Sequence, residues 1–335
     1  MKKKLIIWGG WWGKDMPLSI DNINSHASIT AYFLTKHLAE FYDIVNIYNF
    51  YSAERILDEK DAIAALSTFQ SGFTRLSEVG ENNKFKNIRK NFRGKLCSIV
   101  DDVYRLNYNE DILFTVRPLQ PGAASLIKRL FNKGIVIERC GWPADPDICF
   151  PEVVGEDQIN IFVDHSWYRG GLDCSRLYFN TFKCIIRDCP NFYFNVYRQN
   201  NDGVVKWNLD GEFKEPRYLR SNKVPYLDIL KYYRKCHIFC VTHPESAGLA
   251  AIEAAMCGAK LYVPSFFGRS FISKGLLKDG INYKTVKMNK KSIISALRED
   301  IKNGFDRYAL HNSLLKTNTW KVAAANIHRA LSERT

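Results

Sequence analysis

The chain has 335 residues, of which 46% are hydrophobic and 25% are charged, a composition that excludes a disordered protein. At this length two domains of roughly 150 residues are expected. The formal net charge is +13 and the isoelectric point is about 9.2. This excess indicates an anionic partner, which could be a nucleotide, a nucleic acid or an acidic membrane surface.

The nine cysteines are an odd number without the spacing of a disulfide framework. Cys236 and Cys240 lack the second pair of ligands that a structural zinc site needs, so we expect reduced thiols and no bound metal. The first strand candidate is too short for a signal peptide or a membrane span. The sequence therefore predicts a cytoplasmic protein, and a peripheral position at the inner membrane surface stays open.

Short apolar runs alternate with helical patterns in the first part of the chain, which predicts strands that pair in parallel through right-handed crossovers. The strand candidates are 4–10, 42–50, 110–118 and 135–142, and the helix candidates are 26–41 and 122–134. A polar stretch with several prolines, 143–158, then interrupts the alternation and marks the domain boundary. We predict an N-terminal domain over 1–150 and a C-terminal domain over 151–335.

The alternation restarts after the boundary. The strand candidates are 159–165, 191–199, 237–243 and 259–264, and the helix candidates are 175–188, 225–235, 248–257, 289–303 and a terminal helix around Trp320. The predicted fold class is α/β, with two doubly wound Rossmann-like domains that face a central cleft between the carboxyl ends of their strands.

The segment "VTHPESAGLAAIEAAMCGAKLYVP" (241–264) carries two glutamates, Glu245 before a helix and Glu253 inside it. Ligands of such sheets bind beyond the carboxyl ends of strands, where helix N-termini present free amides. Ser246 suits a helix cap and Gly248 lets the backbone approach a ligand. As alternatives, Glu245 could satisfy the helix dipole and Glu253 could lie on a solvated face. The alanines around Glu253 favour a buried position, where a carboxylate needs a partner.

This segment resembles the E-x7-E signature of retaining GT-B glycosyltransferases of the family-4 type. The similarity extends back through "VPYLDILKYYRKCHIFCV" and forward through "ISKGLLKDGINYKTV" to the Trp320 helix, so it covers most of 160–335. The resemblance implies a GT-B architecture, an acceptor-binding N-terminal domain, and a donor-binding C-terminal domain whose last helix crosses back.

The resemblance also implies residue roles. Glu245 would contact the donor sugar and Glu253 would hold the ribose of the nucleotide. Backbone amides around Ala247, Gly248 and Leu249 would bind the phosphates, with His243 and Ser246 completing that loop.

The phosphate-binding cations of the family are only partly matched. Arg169 and Gly170 fit the family's Lys-Gly element, which makes Arg169 a catalytic candidate. Asp164 and His165 stand where the family's first basic residue is usually found, and His165 joins the donor-binding candidates. Arg198, at the end of the next strand, is a possible substitute for the missing cation.

The N-terminal half departs further from the family. The family's histidine near the donor sugar has no counterpart; Arg117 and Cys140 occupy candidate positions, and we take Arg117 as the catalytic candidate. His26 could face the cleft or could be a capping residue.

The loop "IIWGGWWGKD" lacks the G-x-G-x-x-G spacing. Gly9, Gly10 and Gly13 still resemble a glycine loop that admits a phosphate. Trp11 could stack on a sugar or base, or belong to the core.

The segment "KFKNIRKNFRGK" (84–95) combines basic residues with apolar residues at helical spacing. It could lie on an anionic membrane, bind nucleic-acid phosphates, or be a solvated surface helix whose apolar side packs on its own domain.

The predicted function is transfer of a sugar from a nucleotide-sugar donor to an acceptor hydroxyl, with retention at the anomeric carbon and without a metal or other cofactor. The retaining, front-face mechanism is implied by the resemblance alone. The favoured acceptor is an envelope glycan or a glycolipid. Alternatives are a phage-type DNA glycosyltransferase acting on a hydroxylated base, a non-catalytic nucleotide-sugar binding protein, and an epimerase or phosphorylase of the same fold.

Overall fold

A computed structural model of the protein describes most of the chain, which divides into two compact units. One comprises Met1–Trp142 with Trp320–Thr335, and the other Pro143–Thr319. Side chains are not described at 169–173, 187–188, 199–200 and 203. The described residues are 2–11, 13, 15–23, 25–100, 107–116, 124–141, 143–164, 169–200, 203–213, 224–242, 249–266, 277 and 280–334.

The first unit is built on a six-stranded parallel sheet with the order β2-β1-β3-β4-β5-β6. Its strands are β1 (Lys4–Trp11), β2 (Asp43–Asn49), β3 (Ala64–Ser67), β4 (Lys95–Val100), β5 (Ile112–Thr115) and β6 (Val136–Arg139). Its helices are α1 (His26–Leu38), α2 (Gly72–Glu78), α3 (Asn82–Asn91), α4 (Ala124–Asn132) and the last helix of the chain, α10 (Trp320–Ser332), with a 3-10 helix at Phe50–Asp58.

The interior strand β1 is apolar after its first residue, Lys4, because parallel sheets are covered on both faces. Its residues Leu5 to Trp8 are fully buried. The Trp8 ring stacks on Phe50 with 5.2 Å between centroids. The terminal helix α10 packs in the same unit, where the Trp320 ring stacks on Phe33 of α1 at 5.4 Å.

The second unit also has a six-stranded sheet, with the order β12-β11-β10-β7-β8-β9. Its strands are β7 (Gln158–Val163), β8 (Tyr193–Asn200), β9 (Gly203–Lys206), β10 (Ile238–Cys240), β11 (Lys260–Pro264) and β12 (Tyr283–Val286). Its helices are α5 (Arg169–Asp188), α6 (Tyr226–Tyr233), α7 (Leu249–Met256), α8 (Lys290–Asn303) and α9 (Arg307–Leu314).

The predicted strands and helices of both halves are present, and the predicted α/β class with two parallel, Rossmann-like sheets is confirmed. Two local corrections concern the second sheet. The strand β9 pairs with β8 in antiparallel orientation, so this sheet is not wholly parallel. The helix α5 begins at Arg169, six residues before the predicted start.

The strand orders place a topological switch point in each sheet. In the first sheet β1 lies between β2 and β3, and in the second β7 lies between β8 and β10. Crossovers leave such a strand in opposite directions and open a crevice at its carboxyl end, which is where ligands of doubly wound sheets bind.

Candidate functional site

The crevice of the second unit lies at the carboxyl ends of β7 and β10. Asp164 follows β7, and its backbone N–H donates to the Cys240 carbonyl at 2.9 Å. The Thr242 hydroxyl in turn donates to the Asp164 carbonyl at 3.3 Å. Both side chains are buried. These bonds fix the ends of the two strands side by side, so polar groups are held at the switch point itself.

Arg198 lies on β8 beside this switch point, opposite Val163 in the strand register. Its side chain is only 3% exposed, and its Nε is buried without a hydrogen-bond partner among the described residues. The guanidinium carbon is 5.7 Å from the centroid of the Trp207 ring. A buried charged donor without a partner is costly, and an anionic ligand would remove that cost.

The charge on Arg198 persists at neutral pH. Burial lowers the pKa of its guanidinium to about 10, while the neighbouring Asp164 acts to raise this pKa. The group therefore remains a cation, as its predicted role as a substitute phosphate ligand requires.

Glu253 lies in α7 and is 4% exposed, so it does not occupy a solvated face. The Tyr226 hydroxyl donates to Glu253 Oε1 at 2.5 Å. Burial raises the pKa of the Glu253 carboxyl to about 8, and the Tyr226 hydrogen bond partly opposes that rise. No second hydrogen bond to the carboxyl is made by the described residues.

The small residues of α7 allow this helix to be buried: Ala251, Ala254 and Ala255 are almost completely inaccessible. Arg307 fastens its C-terminal end by donating to the Cys257 carbonyl at 3.1 Å and, through the same nitrogen, to the Arg234 carbonyl. The C-terminal end of α7 is therefore anchored in the second unit.

Two glycines of the predicted glycine loop, Gly9 and Gly10, lie inside β1 near its carboxyl end, at the other switch point, and Gly13 follows the strand. A side chain at Gly9 would collide with Thr68 Oγ1, 1.8 Å from the Cβ position, and one at Gly10 would lie 2.7 Å from the Tyr48 carbonyl. Gly10 also adopts a φ of +144°. Packing within the domain explains both glycines, whereas a Cβ at Gly13 would meet nothing within 4 Å.

Two further candidates lie at the ends of neighbouring elements, Trp11 as the last residue of β1 and His26 as the first of α1. The Trp11 indole N–H donates to the Met16 carbonyl at 3.1 Å. His26 is the first residue of α1, directly after the capping residue Ser25. Their roles in binding remain predictions.

The remaining site candidates cannot be placed in the same detail. Arg169 is the first residue of α5, but its side chain is not described. Arg117, His165, His243, Glu245, Ser246, Ala247 and Gly248 lie outside the described residues.

Tyr226 is the residue that the sequence did not single out. It is the first residue of α6, and its apolar neighbours at helical spacing make it resemble an ordinary core position. Only the distance between its hydroxyl and Glu253 shows its connection to the site. One sequence signal could have connected the two residues: a tyrosine begins one helix, and a lone glutamate lies in the next helix, which is rich in small residues.

The basic segment 84–95 forms α3 and the turn into β4. Its apolar residues Phe85, Ile88 and Phe92 pack into the core of the first unit. Arg89 pairs with Asp111 at 2.7 Å. This packing favours the interpretation as a surface helix whose apolar side is covered by its own domain.

Among the residues that the structure describes, no group of three or more His, Cys, Asp or Glu side chains is placed to bind a metal ion. None of the described helices combines the length and the apolar content that crossing a bilayer requires.

No protein-family model and no curated protein matches the chain. Solved structures do match over the whole length. A Listeria monocytogenes protein assigned as a UDP-N-acetylglucosamine 2-epimerase is 11% identical, with a TM-score of 0.60 over 99% of this chain and 96% of its own. The Anabaena protein HepE, solved with UDP and glucose, is 9% identical, with a TM-score of 0.59 over 99% and 100%.

A glycotransferase of kitacinnamycin is 11% identical to the chain, with a TM-score of 0.54 over 98% of this chain and 99% of its own. Matches at such low identity show the fold. The chain has the two-domain α/β fold of the GT-B type.

Proposed function

We propose that the chain is an enzyme that uses a nucleotide sugar and transfers its sugar to an acceptor hydroxyl with retention. The observation that carries this proposal is Arg198, a buried cation beside the switch point of the second sheet, to whose Nε no described residue offers a hydrogen bond. A diphosphate is the kind of ligand that such a group stabilises. The fold adds support, because HepE, which shares it, was solved with UDP and glucose.

The proposed chemistry follows from these positions. Arg198 would bind the diphosphate, together with Arg169 and the amides at the start of α7, and these donors would stabilise the negative charge that grows on the departing nucleotide. Glu253 would accept from the ribose hydroxyls, and Glu245 would contact the sugar. The scheme needs no divalent metal.

Calorimetric measurement of UDP binding tests the role of Arg198. We expect Arg198→Met to lower UDP affinity about 10- to 100-fold, the range of one or two hydrogen bonds to a charged group. The matched control is Lys206→Met, which removes an exposed cation from the adjacent strand β9. The affinity of the Lys206→Met variant for UDP should stay within about twofold of the wild-type affinity. Equal losses in both variants would mean that general charge, and not Arg198, attracts the nucleotide.

A UDP-sugar 2-epimerase is the second candidate, because a protein assigned to that activity shares the fold over 99% of this chain. NMR of the products formed from UDP-glucose or UDP-N-acetylglucosamine distinguishes sugar transfer from epimerisation. Transfer releases UDP and yields a glycoside that keeps the anomeric configuration of the donor. Epimerisation yields the 2-epimer, and an inverted glycoside would reject retention.

For the acceptor we propose an envelope glycan or a glycolipid, with a hydroxylated base of DNA as the alternative. A salt series on duplex DNA separates them, because phosphate contacts make affinity fall steeply with salt. The non-catalytic alternative predicts no donor hydrolysis, whereas an enzyme should show slow hydrolysis that Glu245→Ala abolishes.

A further inference from the structure

Two buried polar side chains on neighbouring helices form a pair in the second unit. Tyr226 begins α6 and Glu253 lies in the second turn of α7. The phenol hydroxyl donates to Glu253 Oε1 at 2.5 Å, and each residue is only 4% exposed. One carboxylate oxygen is thus held by the protein, and no described residue donates to the other, Oε2.

The pair has no cation as a partner among the described residues. The titratable groups that face it are the phenol of Tyr233, the thiols of Cys149 and Cys257 and, beyond Cys149, the carboxyl of Asp145. Arg307 donates instead to the Cys257 carbonyl at the far end of α7, where His311 Nδ1 also lies 2.6 Å from the Met256 carbonyl. Within the described part of the chain, the hydrogen bond from Tyr226 is therefore the one interaction that stabilises a negative charge on Glu253.

We propose that Tyr226 is a positioning residue that directs Glu253 Oε2 towards the ribose of the nucleotide, and that this pair links nucleotide binding to the loss of one proton. The inference rests on the proposed function. It adds a residue on α6 to which the sequence alone assigned no role in the site.

The physical reason is the strength of the hydrogen bonds that each protonation state makes. An ionised carboxylate accepts from hydroxyls about twice as strongly as a neutral acid. Burial raises the pKa of Glu253 to about 8, so at neutral pH most molecules must release a proton to the solvent before Glu253 can accept fully from the ribose. Each pH unit below that pKa should weaken nucleotide binding by up to about tenfold.

The experiment measures nucleotide affinity against pH by calorimetry, between about pH 7 and 9. The probe is whichever of UDP, ADP and GDP binds the wild type most tightly. We expect wild-type affinity to rise with pH and to level off above about pH 8. In Tyr226→Phe the rise should extend to higher pH, because the hydrogen bond that lowers the pKa of Glu253 is gone. At pH 7.5 we expect a loss of about 3- to 10-fold.

The control is Tyr233→Phe. Tyr233 lies on the same helix and is as deeply buried, but makes no hydrogen bond to Glu253 among the described contacts. Its pH profile should match that of the wild type. A purely structural role of Tyr226 would lower affinity equally at every pH and leave the levelling point unmoved, which would overturn the proposal.

Glu253→Gln completes the design and decides alone if Tyr226→Phe does not fold. The amide cannot ionise, so the pH dependence above about pH 7 should disappear. If it persists, Glu253 is not the titrating group and the proposal fails. A wild type that binds none of the three nucleotides at any pH would instead overturn the proposed function, and the inference with it.

Discussion

The second unit contains two groups of buried charges that are stabilised in opposite ways. In the first, Asp300 of α8 is 2% exposed and accepts from Lys260 at 2.8 Å, Lys284 at 3.0 Å and the Tyr262 hydroxyl at 2.7 Å. In the second, the described residues give Arg198 no partner at Nε and give the Glu253 carboxyl one hydrogen bond, from Tyr226. Within the described part of this domain, one carboxylate is thus fully satisfied and another has a single donor.

The difference separates structural charges from functional ones. Buried charges that are mutually paired hold elements together, and removing one partner destabilises the fold. Buried charges without such pairing reduce stability, and strongly shifted pKa values mark candidate binding sites. We therefore expect substitutions in the Asp300 cluster to affect stability, and substitutions at Arg198 and Glu253 to affect binding.

The largest effect on stability is expected for Asp300→Ala. It leaves Lys260 and Lys284 without their shared carboxylate, and we expect the free energy of unfolding to fall by about 3 kcal/mol, measured by urea denaturation. Glu299→Gln is the matched control, because Glu299 pairs with the same Lys284 at 3.0 Å but its side chain is 62% exposed. That substitution should cost less than about 1 kcal/mol. Equal costs would show that burial does not distinguish the two pairs.

Glu253→Gln should stabilise the protein in a pH-dependent way. A raised pKa means that Glu253 keeps its proton in the folded state at pH values where it has lost it in the unfolded chain. The contribution of this proton to the free energy of unfolding is therefore present below about pH 4 and is lost as the pH rises through about 8. Because glutamine does not ionise, the variant does not lose stability in this range. We expect nearly equal unfolding free energies at pH 5 and an advantage of up to about 4 kcal/mol for the variant at pH 8.5. An advantage that does not change with pH would contradict a raised pKa at Glu253.

Arg198→Met should leave the free energy of unfolding unchanged or raise it by about 1 kcal/mol, because the methionine fills similar space without a buried charge. Chemical denaturation without nucleotide measures this. A loss of more than about 2 kcal/mol would place Arg198 with the structural charges instead. The outcome complements the binding test, since a functional charge should combine lost affinity with preserved stability.

The sequence predicted strands that are largely apolar, such as β1 and β7. The strands β3, β4, β9 and β12 were not predicted, and three of these four have only four residues, a run too short to show a period of its own. The antiparallel orientation of β9 was not predicted either, because only its pairing with β8 in the folded sheet reveals the direction of this strand.

For the site, the sequence predicted a buried Glu253, because the residues around it are small and apolar. Arg198 could be named from its place near a strand end. Its missing partner is a property of the packed structure, and so is the approach of Tyr226 from a different helix. Contacts between distant segments carry no local pattern, which is why Tyr226 was not predicted.

The smallest effect is expected on the outer face of α3, where charges remain in water. Lys86 and Lys90 are exposed, whereas Ile88 between them is fully buried. We expect the double substitution Lys86→Glu with Lys90→Glu to change the unfolding free energy by less than about 0.5 kcal/mol and to leave UDP affinity unchanged. Ile88→Ala should cost about 3 kcal/mol.

The double variant also tests how far the comparison between structural and functional charges extends. Charges that keep their hydration carry no desolvation cost, so they show neither the stability loss expected at Asp300 nor the gain expected at Glu253. If the double variant lowered stability by more than about 1 kcal/mol, these lysines would belong to a structural network. If it weakened UDP binding without changing stability, the basic face of α3 would contribute to attracting the nucleotide.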